Sequence, residues 1–152
     1  MKIDAIRRSY TKDKLDLDKL TTDPIAQLEL WLKDAIAAEL PDPTAMCVAT
    51  VDSTGQPSQR LVLLKDVNSE GFTFYTNLGS RKASELAANP KVSLHFPWHP
   101  LERQVIVYGT AERVSNTQVM KYFLSRPKES QLAAWASEQS RPISTRQALM
   151  QK

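Results

Sequence analysis

A chain of 152 residues, 41% hydrophobic and 24% charged, has the size and make-up of one ordinary globular domain that buries about two-thirds of its unfolded surface without staples. Its net charge of +3 is scattered rather than bunched, which argues against a nucleic-acid-binding surface and suits small anionic ligands. No apolar run approaches the roughly 20 residues of a membrane span, the N-terminus lacks the apolar stretch of a secretory signal, and the lone Cys47 allows no internal disulfide, so the expected setting is the cytoplasm.

Residues 1–22 are polar, with Arg7-Arg8-Ser9-Tyr10 followed by alternating lysines and aspartates, and read as a mobile or docking arm ahead of a single domain. From Asp23-Pro24 onward, Ile25, Leu28, Trp31, Leu32 and Ile36 recur at spacings of three and four. This predicts an amphipathic helix capped by Asp23, started by Pro24 and ending near Leu40. Thr44–Val51 predicts a strand with Cys47 buried as a small hydrophobe, and Asp52–Gln56 a turn. Ser58–Val67 and Phe72–Thr76 predict two strands closed into a hairpin by Asn68-Ser69-Glu70-Gly71, since Asn and Gly tolerate the left-handed backbone of tight turns. A helix over Ser80–Ala88 is stopped by Asn89-Pro90.

Lys91–Phe96 and Leu101–Val114 are further strands, with Gly109 marking a bulge or bend in the second. Ser115 opens a helix reaching Arg126, Pro127 starts another through Trp135, and Ile143–Lys152 forms a last one. About five short antiparallel strands flanked by helices favour a small barrel or closed sheet over a parallel α/β fold. Trp31, Trp98 and Trp135 are expected to be packing residues.

Four cations punctuate the centre of the chain. Arg60 and Lys65 bracket an apolar strand, and Arg81 and Lys82 follow Gly79-Ser80 at a helix start, where free backbone N–H groups carry partial positive charge. A forked guanidinium beside a compact ammonium suits several phosphate oxygens; the competing reading is ordinary solvated surface. Tyr122 and Arg126, four apart on one helix, can grip a second anion with Ser130 beyond Pro127, or can equally be a half-buried phenol beside a surface arginine. Gln104 and Gln139-Ser140 are neutral groups able to read the edge of a heterocycle, though unexceptional by themselves. No metal is expected, because His95 and His99 flank Pro97-Trp98 with no third ligand nearby. No Gly-x-Ser-x-Gly elbow supports nucleophilic hydrolysis.

Taken together, Asp42-Pro43-Thr44-Ala45-Met46, Gln59-Arg60-Leu61-Val62-Leu63-Leu64-Lys65, Phe74-Tyr75-Thr76-Asn77, Gly79-Ser80-Arg81-Lys82, Phe96-Pro97-Trp98, Leu101-Glu102-Arg103-Gln104-Val105 and Tyr122-Phe123 with Ser125-Arg126-Pro127 resemble the pyridoxamine 5'-phosphate oxidase family over nearly the whole chain. The resemblance implies a mainly β fold with flanking helices, an antiparallel, Greek-key-like, FMN-binding split β-barrel that forms a homodimer with FMN at the interface. It implies oxidation of pyridoxamine or pyridoxine 5'-phosphate to pyridoxal 5'-phosphate, with O2 as acceptor and H2O2 as product. Cofactor roles carry over to Arg60, Leu61, Val62, Leu63, Leu64, Lys65, Tyr75, Thr76, Arg81, Lys82, Gln104, Gln139 and Ser140, with the cations around the phosphate. Substrate roles carry over to Lys65, Tyr122, Arg126 and Ser130, and to the Arg7, Arg8, Ser9, Tyr10 arm, where Ser9 stands at a position often acidic in the family. The resemblance also implies a further segment with Trp-Gly-Gly and Arg-Leu-His motifs, neither of which occurs here. The alternative expectation is therefore a truncated or non-catalytic module that binds FMN or a B6 phosphate.

Overall fold

The computed structural model describes residues 3–5, 9–12, 15–136 and 139–142; Arg7, Arg8 and the helix expected over 143–152 lie outside them. After a 3₁₀ turn at Leu17–Lys19 comes helix α1 (Pro24–Ala37), with Pro24 in its first turn and the Asp23 carboxylate accepting the Ile25 N–H at 2.9 Å. It ends three residues before Leu40. Glu39 turns left-handed at φ 52°, and the Leu40 and Glu39 N–H groups close back on the Ala35 and Ile36 carbonyls. This is a Schellman stop made without the glycine that would have announced it. The helix buries Leu28 and Ala35, while Ile36 faces outward, contrary to expectation.

Strands β1 (Ala45–Val51), β2 (Pro57–Leu63), β5 (Lys91–Trp98) and β6 (Arg103–Thr110) form one antiparallel sheet in the order β2-β1-β5-β6. Between them in sequence lie a ribbon, β3 (Asp66–Asn68) and β4 (Gly71–Thr73), and helix α2 (Arg81–Ala88). The strand expected over Ser58–Val67 is thus two. Leu64 N–H still donates to Thr44 O, but Lys65 N–H donates to Thr73 O, so the chain leaves one sheet for the other between adjacent residues. The hairpin partner of Phe72 is accordingly Val67, and the LVLL run pairs with β1 instead. β4 stops at Thr73, short of Thr76. β6 is shorter than expected, because His99–Leu101 is a 3₁₀ turn and pairing with β5 ends at Thr110. Val92 pairs opposite Gly109 in unbroken one-to-one register, so the glycine makes no bulge.

Alternation along β1 sends Met46, Val48 and Thr50 inward and Cys47 to the other face, where it is half-buried rather than in the core. The core lies between this inner face, α1 and the ribbon, and contains Leu28, Met46, Val48, Leu64, Leu94, Phe96 and Trp98. Phe96 is 0% exposed and lies 6.3 Å from the Phe72 ring and 5.6 Å from Trp98, linking ribbon to sheet. The Trp98 indole N–H donates to Pro43 O at 2.9 Å. Arg103 ties the last strand to α1, bonding Asp34 at 2.6 Å and lying 5.3 Å over Trp31. The outer face of the sheet is open: Leu61, Leu63, Ile106 and Tyr108 are exposed on it, in register with Cys47 and His95.

Helix α3 (Asn116–Ser125) starts with a capping box, the Ser115 hydroxyl accepting Gln118 N–H and the Gln118 side chain accepting Ser115 N–H. It ends at Ser125 rather than Arg126, whose backbone is extended because it precedes Pro127. Helix α4 (Lys128–Ala136) leaves Trp135 80% exposed rather than packed, touching only the edge of Phe123 among described ring pairs. The N-terminal arm is held where Thr11 and Lys12 N–H groups both donate to the Glu102 carboxylate at 3.0 Å. Among the described residues no helix is long and apolar enough to cross a membrane.

Candidate functional site

The start of α2 is built locally. Asn77 Oδ1 accepts Gly79 N–H at 2.8 Å, turning the chain so that the Ser80 hydroxyl, buried at 0% exposure, caps the helix through Ala83 N–H. The next residue, Arg81, points along the surface, and Lys82 turns inward to 6% exposure. Lys82 Nζ donates to Thr76 Oγ1 and to Gln139 Oε1, both at 2.8 Å, and the Thr76 hydroxyl donates to the same Gln139 oxygen at 3.1 Å. Burial pushes the Lys82 ammonium below the ordinary lysine range, and the positive charge of Arg60 adds to the effect.

Arg60, on β2, is gripped from several directions. Its Nη1 donates to Val48 O at 3.2 Å and Thr50 Oγ1 at 2.5 Å, and its Nη2 to Ser58 Oγ at 2.6 Å and Glu85 Oε2 at 3.3 Å. Glu85 is buried one turn along α2 from Arg81, whose Nε donates to Oε1 at 2.6 Å, while Ser58 and Thr50 hydroxyls donate to Oε2. The Thr50 bond is the largest of the influences that pull the Glu85 carboxyl from its ordinary 4.5 to about 2; Arg81 and Ser58 reinforce it and burial opposes it. Arg81 also reaches Asp52 at 3.5 Å, whose carboxyl is lowered mainly by hydrogen bonds from Thr54.

A depressed folded-state carboxyl contributes stability that is complete above its unfolded value and is lost as pH falls through the folded one. The urea midpoint is therefore expected to fall as pH is taken from 4.5 towards about 2, and Glu85→Gln to flatten that fall. Identical pH profiles for the two proteins would contradict the assignment.

These groups surround a cleft of about 360 Å³ whose walls include Ser58, Arg60, Leu61, Arg81, Lys82 and Gln139-Ser140. Of the residues expected to hold a cofactor, the structure thus brings together Arg60, Leu61, Arg81, Lys82, Gln139 and Ser140, with Thr76 bonded to Lys82. Tyr75 lies next to Thr76 and stacks on Tyr122, ring centres 3.8 Å apart and planes within 3°. Arg126 lies 6.0 Å from the Tyr122 ring centre, so these two residues of the expected second anion group adjoin the first through Tyr75-Thr76, while Ser130 lies in the first turn of α4.

Other expected residues stand apart. Lys65 is exposed at the junction between the sheets. Gln104 pairs with His95 at 3.0 Å on β6, the opposite edge of the sheet from β2, three strand spacings or roughly 14 Å away. Val62 and Leu64 face the core, and Leu63 lies on the open face. Ser9 and Tyr10 are exposed in the arm. Sequence reasoning missed Glu85, Thr50 and Ser58. Two signals were available: a glutamate four residues after Arg81 on one helix, and a threonine at an inward position of the β1 alternation.

The sheet, its open face and the helix-start cleft define the architecture of the split-barrel flavoproteins. The family model described as pyridoxamine 5'-phosphate oxidase matches residues 32–152, and the chain belongs to that family. Curated relatives called pyridoxine/pyridoxamine 5'-phosphate oxidase include one from Pseudoalteromonas translucida, 64% identical, and one from Alteromonas mediterranea, 60% identical. Each match covers 99% of this chain and 71% of the relative, so the relatives are longer. Among solved structures, PhzG from Burkholderia lata, in complex with tetrahydrophenazine-1-carboxylic acid, superposes with a TM-score of 0.84 at 28% identity, over 88% of this chain and 66% of that one. An FMN-binding protein from Nostoc punctiforme related to pyridoxamine 5'-phosphate oxidase shares the fold at a TM-score of 0.67 and 15% identity, over 86% of this chain and 73% of that one.

Proposed function

We propose that the chain is an FMN-dependent oxidoreductase that oxidises pyridoxamine or pyridoxine 5'-phosphate to pyridoxal 5'-phosphate, with O2 as acceptor and H2O2 as product. The observation that carries this reading is Lys82, a buried ammonium whose two bonds go to neutral oxygens in a cleft also walled by Arg60 and Arg81. A cation held by neutral acceptors keeps its charge for an incoming anion, and the capped start of α2 adds partial positive charge beside it. The phosphate of FMN fits this donor set. When bound, FMN supplies the acceptor for hydride from the substrate's C4' carbon and passes the electrons on to O2.

In this reading Arg60 to Lys65, Tyr75, Thr76, Arg81 and Lys82 hold the cofactor, and Gln104 and Gln139-Ser140 contact its ring system. Lys65, Tyr122, Arg126 and Ser130 hold the substrate phosphate, with the Arg7–Tyr10 arm placed over it. Two anchored phosphates keep both reactants in register, which is the protein's share of the rate. The separation of Gln104 from the cleft and the exposed Leu61 and Tyr108 support a second copy lying on the open face, giving a homodimer with FMN between the protomers. The one free, half-buried cysteine accords with the reducing conditions of the cytoplasm.

The test is to add FMN to the purified chain, remove the excess and supply pyridoxine 5'-phosphate. Retained yellow colour with oxygen uptake and peroxide is expected, and a protein that stays colourless would refute the reading. Colour without peroxide would favour a binding module, a reading motivated by the chain spanning 71% of its relatives' length. The two-phosphate arrangement makes a further prediction. Arg126→Ala should raise the substrate KM about tenfold or more while barely moving the FMN Kd, and Arg81→Ala should do the reverse, each losing a charge-assisted contact. Equal effects on both ligands would break the assignment.

A further inference from the structure

Among the described residues, Glu85 is the carboxylate that pairs with a cation from each of the two elements walling the cleft, β2 and α2. Its Oε1 accepts from Arg81 Nε on α2, and its Oε2 accepts from Arg60 Nη2 on β2. Thr50 and Ser58 extend the link: each hydroxyl accepts from Arg60 and donates to Glu85, so the guanidinium and the carboxylate are joined both directly and through two bridges. With Val48 O included, four acceptors engage the terminal nitrogens of Arg60. Arg81, by contrast, is more than half exposed, and its shortest bond is the one to Glu85.

Resting on the reading that this cleft takes the cofactor phosphate, we infer that Glu85 is its positioning residue: the carboxylate fixes Arg60 and Arg81 in the cleft walls so that, with Lys82, they present positive charge at a set spacing. Two opposing effects follow from removing the carboxylate. Loss of a negative charge beside an anion site would by itself tighten anion binding. Loss of the anchor leaves Arg81 to its longer 3.5 Å pairing with Asp52, drawn away from Glu85, and sets Arg60 against Lys82, whose ammonium already feels its charge. A neutral amide at position 85 offers one acceptor oxygen and turns donors towards guanidinium donors, so it cannot replace both links. The positioning role predicts that the second effect prevails.

The experiment is an FMN titration of the full chain by flavin fluorescence, for wild type, Glu85→Gln and the milder Ser58→Ala, which removes one bridge and leaves the carboxylate. The expected result is an FMN Kd raised about tenfold in Glu85→Gln and about threefold in Ser58→Ala, in line with loss of charge-assisted contacts. At saturating FMN the visible flavin spectrum of both variants should match wild type, because the ring seat is untouched. Unchanged or tighter binding in Glu85→Gln overturns the inference, as does a shifted spectrum or substoichiometric FMN in both variants, which would make Glu85 a general support of the fold. Failure of wild type to bind FMN, or a Lys82→Met variant that binds it normally, is a different outcome: it removes the cleft assignment itself, and the positioning role falls with it.

Discussion

Lys82→Met is expected to weaken FMN binding roughly 30- to 150-fold, the equivalent of about 2–3 kcal/mol for a desolvated ammonium that would bond a phosphate directly. The same substitution should leave the thermal midpoint of the cofactor-free protein unchanged or raised. Burial already disfavours the charged form of this side chain, so the ligand-free fold loses little when the charge goes. Thr76 and Gln139 remain paired with each other at 3.1 Å, which leaves no orphaned acceptor. Opposite signs for affinity and stability are the signature of a group kept for a ligand. An FMN Kd within threefold of wild type would remove Lys82 from the site.

Phe96→Ala should be the most damaging change to the fold. A fully buried phenylalanine cut to alanine costs about 3–5 kcal/mol, a large share of the roughly 5–15 kcal/mol that holds a domain together. The loss is expected at the high end, because the ring fills the contact between the β3–β4 ribbon and the main sheet, facing Phe72 and Trp98. Urea unfolding measures it directly, and a drop below about 1.5 kcal/mol would mean that the two layers close up around the gap. Since β4 leads within a few residues to Tyr75 and Thr76, the surviving folded fraction should also bind FMN less tightly.

Much of this architecture was legible in the residues. Inward Met46 and Val48 alternate as a half-buried strand must, Asp23-Pro24 and Ser80 mark helix starts through side-chain oxygens, and Asn89-Pro90 marks a stop. What escaped was whatever depends on partners rather than on local preference. The Leu61–Val67 run has strand character throughout, yet its hydrogen-bonding partner changes between Leu64 and Lys65, and side-chain patterning carries no record of the partner. α1 stops on Glu39 in a conformation usually reserved for glycine. Trp135 was expected to pack because aromatics at helical spacing usually face a core, but α4 turns it outward.

At the site, the cations and the helix start were visible as chemistry. Glu85 was not, because the hydroxyls that give it meaning lie 27 and 35 residues earlier and approach only after the sheet has formed. His95 and Gln104, weighed separately in the sequence, turned out to be bonded to each other across β5 and β6.

The bond between Lys82 and Gln139 spans 57 residues of chain. Synthesis proceeds from the N-terminus, and at the usual pace of about 5–20 residues per second some seconds pass between the two side chains leaving the ribosome. In that interval the sheet strands and α2 can already be in place, with Arg60 and Arg81 tied to Glu85, while the wall that carries Gln139 and Ser140 does not yet exist. Until then Lys82 has the Thr76 hydroxyl within reach but lacks its second acceptor, so the neutral setting of this ammonium is completed by the late-made part of the chain.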